Sequence, residues 1–290
     1  MKKQFLLVLA ISLVASINFS YTTPAAEVSA RPIIDKMIAS INAIRSCTYT
    51  MRGNERIKGI SGLRGGDIFT KLQVNPHKVY MKMVTDPNKD TEILYVKGER
   101  DGKALVNPGN LPFNVKLAPL NSMLTKDQHH SLLSAGFGLV PKIVGAGIKK
   151  ADAQGKFEEV FKYVGDVTWN NKLCYKVTIE DPTYTIITVT AQKGETMYAF
   201  AQRLLIPEYS ITELNGIKNF DEDVSGKALK VPSSYAKKST FYIDKATNLP
   251  IFQEMLDDKG VFERYEFFNV VVNPTFKADE FTEDFSGYDF

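Results

Sequence analysis

Reactive side chains are scarce in this 290-residue chain, which has two cysteines, three histidines and one tryptophan. No G-x-S-x-G elbow is present to hold an activated serine. The histidines, His77, His129 and His130, lack the H-E-x-x-H spacing that puts two ligands on one helix face, so zinc-dependent hydrolysis has no ligand set. Neighbours on a helix point about 100° apart, so His129 and His130 are expected as surface residues of a helix spanning Ser122 to Ala135. The glycines at 59, 62, 65 and 66 lack the G-K-[ST] ending of a phosphate loop and read as hairpin or bulge glycines between two strands. No basic block is interleaved with aromatics, and Lys+Arg 36 against Asp+Glu 33 leaves a net charge of only +3, so nucleic acid is not an expected partner. Cys47 has the parity of Tyr49 and Met51 on an apolar strand face, whereas Cys174 alternates with Leu173 and Tyr175 on a polar one. A disulfide between them is left open.

What the chain does have begins at its first residues. Lys2 and Lys3 precede an apolar run from Phe5 to Val14, and Val28-Ser29-Ala30 has the small residues that signal peptidase accepts, so residues 1–30 read as a secretory signal. That run is shorter than the roughly 20 residues a membrane span needs, and no cysteine follows it in a lipid-attachment position. Ile34, Met37, Ile38, Ile41 and Ile44 predict an amphipathic helix over Pro32 to Arg45. Alternating strands follow at Thr48–Lys58, Ile68–Leu72, Lys78–Val84 and Glu92–Lys97, as in an antiparallel meander. After the Ser122–Ala135 helix, a second is expected over Leu139–Ala153. Strands then return at Phe157–Tyr163, Val167–Trp169, Leu173–Ile179, Ser239–Asp244, Pro250–Leu256 and Val261–Val272.

Between these strands stands a stretch with its own punctuation, Ile186 to Pro232. A strand ITVT leads through Lys193-Gly194-Glu195 to Thr196 as the N-cap of an apolar-faced helix that Pro207 stops. A second helix, Ser210 to Asn215, opens with Glu213 in capping-box position and closes at Gly216, and Ala228 to Val231 makes a second strand. The order strand, KGET, helix, LNGI, SGKALKVP resembles a LysM domain, a βααβ module that binds N-acetylglucosamine-containing glycans. Residue by residue, the resemblance implies a glycan groove formed by Gly194, Glu195, Thr196 and Met197 on one side and Asn215, Gly216 and Ile217 on the other. Glu195 stands where the pattern has Asp, and Phe220 to Val224 makes the second loop longer and more acidic. The run Asp221-Glu222-Asp223 reads as a solvated loop and not as a catalytic carboxylate pair, because consecutive residues diverge in direction.

The closing segment, FYIDKATNLP, then DDKG, YEFFNV, NP and DEF, resembles the end of LolA-like proteins. This resemblance implies an α+β fold, an open antiparallel β half-barrel covered by helices, of the kind that holds lipoprotein acyl chains. Arg52, Arg56 and Arg64 are nominal counterparts of the arginine inside such a hollow, and none is assigned that role. The expected organisation is a signal over 1–30, a discontinuous LolA-like domain over 31–183 and 236–290, and a LysM insert over 184–235. The expected function is that of a non-enzymatic, exported periplasmic or cell-envelope protein. It has no catalytic residues, metal or cofactor and is not membrane-spanning; its partners are peptidoglycan or a chitin-like glycan and a lipid or lipoprotein acyl chain. The alternatives are a scaffold binding peptidoglycan and a protein without lipid, and a wall-processing enzyme whose motifs are missing.

Overall fold

The computed structural model describes residues 28–109 and 111–290. The apolar run and its two lysines lie outside the described residues. The chain opens with helix α1 (Arg31–Asn42), close to the predicted span, with Ile33, Ile34, Met37 and Ile41 on its buried face. The meander follows as β1 (Ser46–Arg56), β2 (Leu63–Gln73), β3 (Lys78–Met83), β4 (Glu92–Val96), β5 (Ala104–Asn107) and β6 (Val115–Leu117). Helices α2 (Ser122–Thr125), α3 (Val140–Ala153) and α4 (Phe157–Val160) lead to β7 (Phe161–Trp169) and β8 (Lys172–Glu180). Next come β9 (Ile186–Thr190), α5 (Met197–Leu204), α6 (Glu208–Asn215) and β10 (Ala228–Pro232), and the chain finishes with β11 (Lys238–Asp244), β12 (Pro250–Asp257) and β13 (Gly260–Val272).

Eleven strands form one antiparallel sheet in the order β6-β5-β4-β3-β2-β1-β13-β12-β11-β8-β7. Its edge strands β6 and β7 do not pair with each other, so the sheet stays open. Helices α1 and α3 pack on one face, where Ile34, Met37, Val144 and Phe137 meet Tyr49, Leu72, Val177, Ile243 and Phe267 in the largest core cluster. Residues 276–290 fold back over the other face of the meander, setting Phe281, Phe276, Tyr288 and Phe290 against Tyr80, Leu94 and Leu105. This explains why all five residues of β4, EILYV, are buried: Leu94 and Val96 face the tail, while Ile93 and Tyr95 face Leu124, Leu132 and Leu133.

β9 and β10 form a separate two-stranded sheet that, with α5 and α6, encloses a core of its own around Met197, Phe200, Ile211 and Leu229. The chain leaves the large sheet at Asp181, whose N–H donates to the Lys237 carbonyl at 2.9 Å, so exit and return are hydrogen-bonded neighbours. β8 and β11 pair directly across this excursion. At the N-terminal boundary, Ala30 is fully buried and Ser29 bridges to Lys162 of β7, so these residues of the expected cleavage site are part of the packed structure.

Three local expectations are corrected. The helix over Ser122–Ala135 is only α2, after which Asp127 takes a positive φ of 57° and the chain turns inward. Phe157–Tyr163 begins as one helical turn and becomes strand only at Phe161. The second helix of the small module starts at Glu208, two residues before Ser210, which lies buried inside it. The two cysteines are both buried and free.

The glycines divide by role. Gly59 and Gly62 take the positive φ values of the β1–β2 turn, while Gly65 lies in β2 opposite Asn54. A Cβ on Gly65 collides with the Gly53 carbonyl, which is backbone and cannot swing aside. Gly65→Ala is therefore expected to cost at least about 2 kcal/mol, at the upper end of small-to-large strain. Urea unfolding measures it, and a loss below about 0.5 kcal/mol contradicts the close approach of β1 and β2.

Candidate functional site

Strand alternation places Glu55 of β1 on the face of Tyr49 and Met51, and Glu263 of β13 on the face of Tyr265 and Phe267, so two carboxylates point into the core side of the sheet. Glu263 is fully buried, and an unpaired carboxylate there costs several kcal/mol. The segment after α2 supplies the partners. His129, also fully buried, directs Nδ1 to the Glu263 carboxylate at 2.8 Å and Nε2 to the Arg56 carbonyl at 3.0 Å, while its backbone N–H donates to Glu55 at 2.9 Å. Both ring nitrogens face acceptors, so the ring must carry two protons. His130 does the same, with Nδ1 2.7 Å from the buried Glu208 carboxylate and Nε2 2.9 Å from the Tyr235 hydroxyl. The Tyr235 hydroxyl donates onward to Glu263 at 2.5 Å, and Tyr265 donates to Glu55 at 2.5 Å.

The electrostatics follow from these contacts. Burial pushes both imidazoles toward the neutral form, but Glu55 and Glu263 outweigh it at His129, and Glu208 and Glu263 outweigh it at His130, so both pKa values are raised. Burial likewise opposes ionisation of Glu263, yet the two histidines hold it well below the usual carboxylate range. The expectation that His129 and His130 are surface residues is thus overturned. Among the described residues no group of His, Cys, Asp and Glu is arranged to hold a metal ion.

This cluster joins elements distant in sequence. Glu208 and Tyr209 come from α6 of the small module, Tyr235 from its return segment, and Glu55 and Glu263 from the large sheet. The Tyr209 ring stacks on His129 with centroids 4.8 Å apart, and its hydroxyl accepts from the Lys58 N–H at 2.8 Å. Sequence reasoning missed the cluster, although strand parity contained a signal: Glu263 alternates in register with Tyr265 and Phe267.

Two cavities flank it. The first, of about 340 Å³, lies between the end of α1, the starts of β1 and β3, the end of β2 and residues 133–142. Its walls include Ile41, Ile44, Cys47, Leu72 and Phe137, and His77 presents a buried Nε2 that has no hydrogen-bond partner among the described residues. Burial lowers the pKa of His77, and exposed Lys142 stands at the rim. Gln202 of α5 completes the wall and donates to Glu208 of the cluster at 2.9 Å. None of the three nominal arginines lines this cavity; Arg52, Arg56 and Arg64 pair with Asp67, Asp257 and Asp127.

The second cavity, about 240 Å³, opens between the small module and the β1–β2 hairpin. Of the seven residues expected to form a glycan groove, Gly216 and Ile217 line this cleft. The others lie elsewhere in the module. Gly194 is an exposed turn residue with φ 79°, Glu195 is ion-paired to Arg203, and the Thr196 hydroxyl caps α5 by accepting from Ala199 N–H at 3.2 Å. Met197 is fully buried in the module core, and its N–H donates to the Glu222 carbonyl at 2.8 Å. Asn215 ties α6 to β10 by exchanging bonds with Lys230, 2.8 Å each way. Residues 194–198 are laced to residues 220–224, with Tyr198 N–H to the Phe220 carbonyl and Val224 N–H to the Glu195 carbonyl.

A family profile described as "Protein of unknown function (DUF1571)" matches residues 44–208. No curated protein matches the chain. Among solved structures it is similar to lipoprotein LppX of Mycobacterium tuberculosis, with 11% identity over 84% of this chain and 96% of that one and a TM-score of 0.40. It is also similar to LprF of Mycobacterium bovis, at 12% identity over 85% and 94% with a TM-score of 0.39. A LolA superfamily protein of Nitrosomonas europaea matches at 8% identity over 89% and 99% with a TM-score of 0.32.

The cluster has a pH signature. An unfolded histidine titrates near 6.5, so folded values above this give a stabilisation fully present below pH 6.5 and lost as pH rises through the folded values. Glu263, lowered from 4.5, contributes above pH 4.5 and loses its contribution as pH falls. Urea midpoints are expected to be highest between those limits and to decline on the alkaline side; a midpoint unchanged from pH 6 to 9 contradicts the doubly protonated rings. His129→Ala, which leaves Glu263 with one cation fewer, is expected to cost about 3–5 kcal/mol.

Proposed function

This chain belongs to the DUF1571 family of proteins of unknown function, and we propose that it is a non-enzymatic cell-envelope protein that holds a lipid or lipoprotein acyl chain. The observation that carries this reading is the cavity of about 340 Å³ beneath α1, within the range of small-molecule sites. Its aliphatic and aromatic walls suit a hydrocarbon chain, for which each buried methylene contributes about 0.8 kcal/mol. Lys142 at the rim and His77 Nε2, which has no partner among the described residues, offer polar points for a head group or ester. The LolA-like closing motifs support the same reading. A non-enzymatic role is supported by the placement of the buried acid–base cluster: Glu55, Glu208, Glu263, His129 and His130 line neither cavity.

The small module supports a second element of the proposal, docking on peptidoglycan or a related N-acetylglucosamine glycan. The LysM-like order of motifs and the βααβ arrangement with its own core favour it. The N-terminal signal read from the sequence would deliver the protein to the periplasm or envelope, and no described helix is long and apolar enough to cross a membrane.

Native mass spectrometry of protein purified from its own envelope is expected to find a retained acyl ligand. Ala135→Trp, which fills the cavity from its wall, is expected to weaken binding of a fluorescent fatty acid by at least about tenfold, or 1.4 kcal/mol. Absence of both ligand and probe binding in the unaltered protein rejects the acyl-chain reading.

A further inference from the structure

The cleft between the module and the β1–β2 hairpin has a charge balance that the glycan reading does not require. Two carboxylates line it, and each is neutralised: Asp127 pairs with Arg64 at 3.0 Å and Glu213 with Lys259 at 3.1 Å. Three lysines also line it, Lys58 from the hairpin, Lys126 after α2 and Lys218 from the module loop. All three are exposed, and among the described residues none of them has a carboxylate partner. The acidic residues Asp221 and Asp223 do not line the cleft, and Asp223 bridges to Thr196. Beneath the lysines lie Ile217, Phe220 and the Tyr209 ring.

Three lysines from three separate elements line one cleft without a carboxylate partner among the described residues, and the positive potential this gives the cleft favours an anionic ligand. The walls are held in place before any ligand arrives, because Tyr209 hydrogen-bonds the Lys58 backbone and stacks on buried His129. Preorganisation of this kind lowers the entropic cost of binding. Gly216 and Ile217 connect the cleft to the loop that the LysM resemblance assigns to glycan.

We propose that this cleft recognises the carboxylates carried by a glycan strand, so that the protein selects peptidoglycan bearing its stem peptides over a neutral N-acetylglucosamine polymer. The inference rests on the glycan reading of the module and deepens it: apolar and backbone groups take the sugar, while Lys58, Lys126 and Lys218 take the acidic substituent. Such solvated pairs are individually weak and salt-sensitive, so the selectivity arises from three acting together.

The test is titration calorimetry on the exported, processed protein with two soluble probes, a disaccharide-peptide tetramer released from sacculi and a chitin tetramer. At low ionic strength the peptide-bearing probe is expected to bind about tenfold more tightly, with the difference shrinking in 0.5 M salt. Replacing all three lysines, K58Q/K126Q/K218Q, is expected to remove the difference and leave chitin-tetramer binding within about twofold; the side chains are exposed, and circular dichroism verifies the fold. Equal affinity of the unaltered protein for both probes overturns the carboxylate inference and leaves the glycan reading standing. Selectivity that survives the triple substitution also overturns it. Binding of neither probe overturns both.

Discussion

Glu263 is a carboxylate with no exposed surface on an interior strand, and the surrounding structure meets its demand for positive charge. Leaving it unpaired costs several kcal/mol, comparable to much of a domain's net stability. Two consecutive histidines meet that demand, His129 at 2.8 Å and His130 at 3.4 Å, and the Tyr235 hydroxyl donates a further hydrogen bond to it. To bring His129 and His130 there, the segment after α2 gives up helical structure and turns at Asp127. The local conformation of about ten residues is thus set by a charge on a strand more than 130 positions away.

The same interaction sets the relation between the two parts of the molecule. Glu208 of α6 is itself buried and takes its cation from His130, so the small module is docked by charge-assisted hydrogen bonds as well as by apolar contact. Gln202, bonded to Glu208, forms part of the wall of the apolar cavity, and Tyr209, stacked on His129, lines the basic cleft. Each candidate binding site therefore lies one contact from the cluster. The module is held against the sheet domain, with both ends of its excursion hydrogen-bonded to each other at Asp181 and Lys237.

Much of the architecture was legible because it is local. The first four strands of the meander and those of the closing segment follow from alternation, and α1 follows from three- and four-residue apolar spacing, whereas β5 and β6 were not legible. Thr196 as an N-cap and Gly216 as a left-handed C-cap stand where their side-chain chemistry requires. The misses share one cause. His129 and His130 look like surface residues only while Glu55, Glu208 and Glu263 are out of sight. Gly65 reads as a turn residue until the opposing strand arrives at the Gly53 carbonyl.

By itself, then, the amino-acid order determined most of the periodic elements, with their caps and turns. These depend on interactions within a few residues, and a single sequence contains them in full. Only the tertiary structure decided which charges are buried together, which face of the module meets the sheet, and that Lys58, Lys126 and Lys218 share a cleft. Those outcomes depend on desolvation and Coulomb energies between residues far apart in the chain, which take their values only when the chain has brought the groups within a few ångströms.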